Sequence, residues 1–160
     1  QLEKSYVCIA LMGGGMLGLI GLHLVAGKKE RNTTLKPSEE LEGFVYVCEC
    51  EEIADTRAKI LLVDGENIAL FKYEGKVSAV HNLCKHQNGP LGEGKILDGC
   101  ITCPWHGYQY LPENGQSPPP FTEKVHTYQT KIMGSKVYVN PKPFPEGTEV
   151  SPSIYQDLNS

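Results

Sequence analysis

Hydrophobic and polar positions alternate on different scales in the two parts of this chain. From Tyr6 to Ala26, twenty-one residues pass without a formal charge, rich in Leu, Ile, Val, Met and Gly. At about 1.5 Å of rise per residue, such a stretch crosses a hydrocarbon core of about 30 Å as one helix. The pattern predicts a single N-terminal transmembrane helix, with residues 1–27 as the anchor. A signal peptide is the competing reading, because Val25-Ala26-Gly27 loosely resembles a small-residue cleavage site. The apolar stretch is, however, longer than an ordinary signal core.

Beyond the anchor the period shortens. Residues 28–40 are polar, charged and broken by Pro37, as a linker is. Short runs rich in β-branched and aromatic residues follow: Phe44 to Cys48, Lys59 to Val63, Asn67 to Tyr73 and Val77 to His81. Asp64-Gly65 and Glu74-Gly75 supply turns between them. Lys95 to Leu97 and Cys100 to Thr102 flank Asp98-Gly99, a two-residue hairpin signal. Tyr108 to Leu111, Val125 to Thr130 and Lys136 to Asn140 complete the strands. No long amphipathic helix and no internal repeat interrupts them, so the expected fold class is mainly β and antiparallel over residues 41–140. Residues 141–160 begin Pro-Lys-Pro-Phe-Pro and predict an extended tail lying over a partner or in solvent.

Charge orients the anchor. Lys28, Lys29, Arg31 and Lys36 follow the span, against Lys4 and Glu3 before it. The positive-inside rule then places the β domain on the cytoplasmic or mitochondrial matrix side, in a bacterial plasma membrane or a mitochondrial inner membrane. Gly14 and Gly18 form a G-x-x-x-G pair with Gly21 on nearly the same side, a face that lets helices of other membrane subunits approach within the lipid bilayer. His23 is read as reaching the interface or a neighbouring helix. A net charge of −4 without a basic stripe leaves no nucleic-acid footprint.

The chemistry sits in two short clusters. Cys84-Lys85-His86 and Cys103-Pro104-Trp105-His106 are separated by sixteen residues, and each offers one thiolate and one imidazole to a shared point. Cys84, His86, Cys103 and His106 form a ligand set for a two-iron, two-sulfur cluster in which two His replace two Cys on one iron. A structural zinc ion also accepts Cys2His2, although zinc fingers usually pair Cys with Cys and His with His. Neutral imidazole donates less charge than thiolate, which lifts the potential to about −150 to +300 mV, against about −400 mV for all-Cys clusters. Gly89, Pro90 and Gly107 let both arms turn tightly.

With this spacing the chain resembles the Rieske-type ferredoxins over roughly residues 41 to 140. The resemblance implies a Rieske-type antiparallel β sandwich of three sheets with a cluster-binding subdomain, and a Rieske [2Fe-2S] cluster as cofactor. It implies Cys84 and Cys103 on the inner iron, His86 and His106 on the outer one, and a covering loop at Ser117-Pro118-Pro119-Pro120. Quinol-oxidising relatives carry an extra Cys in each arm, joined as a disulfide. Here those positions are Gly89 and Trp105, Tyr108 replaces a hydrogen-bonding Ser, and only Tyr110 matches the family's second donor. The resemblance is therefore to the low-potential, ferredoxin-like branch.

Catalysis by the chain itself is not expected. Rieske oxygenases add a mononuclear iron held by two His and a carboxylate, whereas the remaining His23, His81 and His126 are scattered. No nucleophile elbow or dinucleotide fingerprint is visible. The expected function is a membrane-anchored one-electron carrier, a subunit of a larger respiratory-type membrane redox complex with a redox partner protein and neighbours held by the Gly14/Gly18 face and the tail. The alternatives are an accessory subunit whose cluster lies off the electron path, or a ferredoxin component feeding a membrane oxygenase. Of the other thiols, Cys8 lies in the span and Cys100 near a ligand, while Cys48 and Cys50 are expected to face one side of a strand as packing.

Overall fold

Two-residue turns set the frame of the β domain. Asp64 and Gly65 both take positive φ, 51° and 85°, as do Glu74 and Gly75 (47° and 69°) and Asp98 and Gly99 (49° and 77°). Paired left-handed residues give a turn whose twist matches that of the flanking strands. The structure, a computed structural model, describes residues 41–155. The apolar span 6–26 with Gly14, Gly18, Cys8 and His23, the linker 28–40 and residues 156–160 lie outside the described residues. Among the described residues no helix is long and apolar enough to cross a membrane.

In chain order the strands are β1 Val45–Glu49, β2 Ala58–Val63, β3 Glu66–Tyr73, β4 Lys76–His81, β5 Lys95–Leu97, β6 Cys100–Thr102, β7 Gln109–Tyr110, β8 Thr127–Tyr128, β9 Thr130–Met133, β10 Lys136–Val139 and β11 Ser153–Ile154. Single 3-10 turns stand at Cys50–Glu52 and Leu91–Glu93. Three antiparallel sheets result: β1-β10-β9, then β11-β4-β3-β2 with β8 also on β4, then β5-β6-β7.

Strand β3 explains the layering. Its alternate residues feed two separate cores, Ile68 and Leu70 joining Val45, Val47, Val137 and Val139, and Ala69, Phe71 and Tyr73 joining Leu91, Ile101, Tyr110 and Val125. A strand buried on both faces reads as one apolar run, as Ile68-Ala69-Leu70-Phe71 does. The central sheet is thus covered on one face by β1-β10-β9 and on the other by β5-β6-β7. Cys84 and Cys103 belong to the second core, so packing of ordinary hydrophobic residues carries the floor of the site.

Several expected boundaries shift. The first strand runs Val45–Glu49 rather than Phe44 to Cys48, and its register slips between Tyr46 and Cys48, which turns both Val47 and Cys48 inward. Cys50 opens a 3-10 turn rather than sharing a strand face with Cys48. Both thiols are nonetheless buried, and burial pushes each up to about 11, so they stay neutral as packing groups do. The segment Val125 to Thr130 is not one strand. It divides at exposed Gln129, β8 pairing with β4 and β9 with β10, because the chain changes sheets there.

The tail departs most from expectation. Instead of leaving its own domain, residues 141–155 run back over it. The Phe144 amide donates to the Thr127 carbonyl at 2.9 Å, Val150 to Glu113 at 2.7 Å and Tyr155 to Gly75 at 2.7 Å. Ser153 and Ile154 pair with Val77 and Lys76, on the β4 edge whose other half carries β8. An uncovered strand edge offers unpaired amides, and the prolines between these contacts do not prevent two residues from filling it.

His81 sits beside this edge. Its Nδ1 lies 3.3 Å from the Tyr128 hydroxyl, which donates to Glu66 at 2.7 Å, and its ring meets His126 edge-on at 6.3 Å. Burial holds its imidazole below the ordinary 6.5, opposed by Glu66 and aided by His126 and Lys85. With the folded value depressed, the unfolded chain takes the proton first, so stability present above about pH 6.5 is lost as the pH falls through that window. Thermal melting is expected to drop between about pH 7.5 and about pH 5, and His81→Gln to flatten that slope.

Candidate metal centre

Both ligand arms fold to one plan. In the first, the Cys84 amide donates to the Gly89 carbonyl at 2.9 Å and the Asn88 amide to the Cys84 carbonyl at 2.8 Å. In the second, the Cys103 amide donates to the Tyr108 carbonyl at 2.8 Å and the Gly107 amide to the Cys103 carbonyl at 3.0 Å. The fourth residue after each Cys turns through positive φ, 58° at Asn88 and 73° at Gly107. The arms are therefore equivalent turns in which the imidazole stands two residues after the thiol in one and three in the other. The β5-β6 hairpin leads directly into the second arm, and β7 leaves it.

Sulfur and nitrogen are separated by depth. Cys84 is 1% and Cys103 3% exposed, whereas His86 and His106 are exposed. The two imidazoles approach edge-to-face with centroids 4.9 Å apart. Burial pushes the Cys103 thiol up, and a hydrogen bond to Cys84 pushes in the same direction. A cluster held by these thiols would need them deprotonated, which would make loading pH-dependent. Among the described residues, no three His, Cys, Asp or Glu side chains gather about one point as the ligands of a single ion. A zinc ion asks for four donors at one point. A two-iron cluster asks for two per iron, spread over a binuclear core, and an inner sulfur pair with an outer nitrogen pair fits that demand.

Neighbouring groups complete the site. Tyr110 is fully buried. Its hydroxyl accepts the Lys85 amide at 3.0 Å and lies 3.3 Å from Cys84 Sγ, within reach to donate to that sulfur once it is a ligand thiolate. Burial first, then that contact with Cys84, raises the phenol far above its ordinary value and keeps it a donor. Tyr108, in place of a hydrogen-bonding Ser, stacks on His86 with centroids 4.5 Å apart and planes within 9°. Phe121 tilts against Tyr108 with centroids 5.0 Å apart. Gly89 has no room for a side chain, since a Cβ would stand 2.9 Å from Cys103 Sγ and 3.1 Å from the Trp105 ring. Pro118 and Pro119 line a cleft of about 190 Å³ together with His106 and Tyr108.

One neighbour had no signal in the sequence. Lys85, inside the first arm, pairs with Glu146 of the tail. Sixty residues of intervening chain hide such a contact from any local pattern.

Residues 43–129 match the family described as the Rieske [2Fe-2S] domain. The chain is 29% identical over 116 residues to the ferredoxin component of an alkene monooxygenase system from Xanthobacter autotrophicus, covering 71% of this chain and 95% of that protein. It is 30% identical over 97 residues to the ferredoxin subunit of a 3-phenylpropionate/cinnamic acid dioxygenase from Photorhabdus laumondii, covering 59% and 91%. Among solved structures, the ferredoxin of carbazole 1,9a-dioxygenase from Nocardioides aromaticivorans superposes with a TM-score of 0.58 at 24% identity, over 62% of this chain and 98% of that one.

Proposed function

Because this chain belongs to the Rieske [2Fe-2S] family, we propose that it is a one-electron carrier in which Cys84 and Cys103 hold the inner iron and His86 and His106 the outer one. When bound, the cluster supplies reversible one-electron chemistry at a potential above that of all-Cys clusters. The remaining work falls to the chain. The second core keeps water from the thiolates, Tyr110 directs a proton at Cys84, and the exposed imidazoles of His86 and His106 present the outward edge to a partner. The observation that carries this reading is the pairing of two like-folded turns, sulfur buried and nitrogen exposed.

The electron's destination in this reading is an oxygenase component. Its support is that proteins similar over most of their length are ferredoxin components of oxygenase systems. This favours the feeding role over a place in a respiratory-type complex. The apolar segment 6–26 adds a membrane anchor that would keep the carrier beside a membrane-bound acceptor.

The purified full chain is expected to hold two irons and two acid-labile sulfides and to give a Rieske EPR signal after dithionite. Iron-free or zinc-loaded protein from an iron-replete host would end the proposal. For the anchor, the full chain should resist extraction by alkaline carbonate while a chain lacking residues 1–27 is released; equal release of both removes the anchor from the reading.

A further inference from the structure

The segment that follows the family match, from 130 onward, includes a strap that reaches the first ligand arm. Phe144 is held on both sides, its amide on the Thr127 carbonyl at 2.9 Å and its carbonyl by His126 Nδ1–H at 2.7 Å. Gln116 donates to the Gly147 carbonyl at 2.8 Å, and Thr127 Oγ1 to that of Thr148 at 3.0 Å. Gly147 turns through φ +79° so close to its neighbours that a Cβ would stand 2.6 Å from the Lys124 side chain. Glu146, between these anchored residues, is set in place by backbone contacts that do not depend on its own charge. Its carboxylate pairs with Lys85 Nζ, and Oε1 lies 3.6 Å from His126 Nε2.

The main chain of the lysine is fixed as well. Lys85 stands between Cys84 and His86, and its amide is held by Tyr110. A cation kept beside a centre that gains an electron favours the reduced state, and a carboxylate placed on that cation removes the preference. We propose that Glu146 is a positioning residue of the electron-transfer site, compensating the Lys85 charge beside the first ligand arm and so lowering the reduction potential. This inference rests on the carrier reading above. Both side chains are more than a third exposed, 42% for Lys85 and 37% for Glu146, so solvent and salt screen the effect. Its sign, however, is determined by which partner is missing.

The test is a spectroelectrochemical titration of the full-length, iron-loaded chain. Glu146→Gln is expected to raise the potential and Glu146→Lys to raise it further. Lys85→Gln, which leaves the carboxylate alone, should lower it, and the Lys85→Gln/Glu146→Gln double variant should return close to wild type. Each shift should shrink between about 20 mM and about 0.5 M salt. Hydrogen exchange gives a second readout: the Glu146→Gln strap should keep its amide protection at Phe144 and Gly147, because backbone contacts hold it.

Single variants that leave the potential unmoved, or move it in the same direction, overturn the inference. So does a double variant that departs as far as the single ones do, or a strap that loses its protection in Glu146→Gln. Wild-type protein without a Rieske signal would instead overturn the carrier reading, which keeps the two failures distinguishable.

Discussion

Cys103→Ala is expected to reduce bound iron from two atoms per chain to almost none and to abolish the EPR signal, while the far-ultraviolet signature of the sheets persists. Under the proposed assignment the inner iron has only two protein ligands, Cys84 and Cys103, and one thiolate does not hold it. The sheets persist for a different reason. Strands β2, β3 and β4 are joined by short turns, β3 and β4 are packed on both faces by residues such as Ile68, Leu70, Phe71 and Val80, and no proposed metal ligand lies among them. Removing one small buried thiol costs about 1 kcal/mol, well within the margin of a folded domain. A Cys103→Ala chain that kept its full iron and sulfide content would show that the ligands lie elsewhere.

Tyr110→Phe should lower the reduction potential with the cluster still in place. The Tyr110 hydroxyl takes the Lys85 amide at 3.0 Å and lies 3.3 Å from Cys84 Sγ, where a ligand thiolate would accept its proton. Reduction places more negative charge on sulfur, so the donor stabilises the reduced form more than the oxidised one. If that difference is about 1 kcal/mol, a one-electron couple moves down by on the order of 40 mV. The same change leaves the Lys85 amide without its partner beneath the ligand arm, which costs about 1–3 kcal/mol of stability. Potentiometry and denaturant unfolding of one preparation measure both effects. A loaded Phe variant with an unaltered potential would mean that the hydroxyl is not a donor to the ligand sulfur.

Much of the site was legible in order along the chain. Cys84, His86, Cys103 and His106 announce a mixed sulfur and nitrogen donor set because metal chemistry restricts which side chains can take part. Gly89 and Gly107 mark tight turns, one by crowding against Cys103 Sγ and the other by positive φ. Less legible was the meaning of unequal spacing. The arms appear different as C-x-H and C-x2-H, yet they share one hydrogen-bond plan, and only backbone geometry reveals that. Their depth was also hidden, since nothing local makes Cys84 a floor residue and His86 a surface one.

Strand order was readable where turns are short, and failed where the chain changes partner. Asp64-Gly65, Glu74-Gly75 and Asp98-Gly99 define hairpins because a two-residue turn leaves the chain one way to continue. Gln129 carries no such mark, so the division of β8 from β9 follows from which sheet edges were open. Composition alone misread the tail. Its prolines forbid long regular structure, but two unpaired residues on the β4 edge and a lysine in the ligand arm gave it a place on its own domain.

Amino-acid order by itself determined the antiparallel β class and the hairpin turns and supplied the proposed donor set, since each is local chemistry or local backbone preference. Tertiary structure alone decided that the sulfurs lie beneath the imidazoles, that Tyr110 meets Cys84, and that Glu146 meets Lys85. Those contacts join residues tens of positions apart, and their proximity comes from the packing of three sheets rather than from any sequence near them.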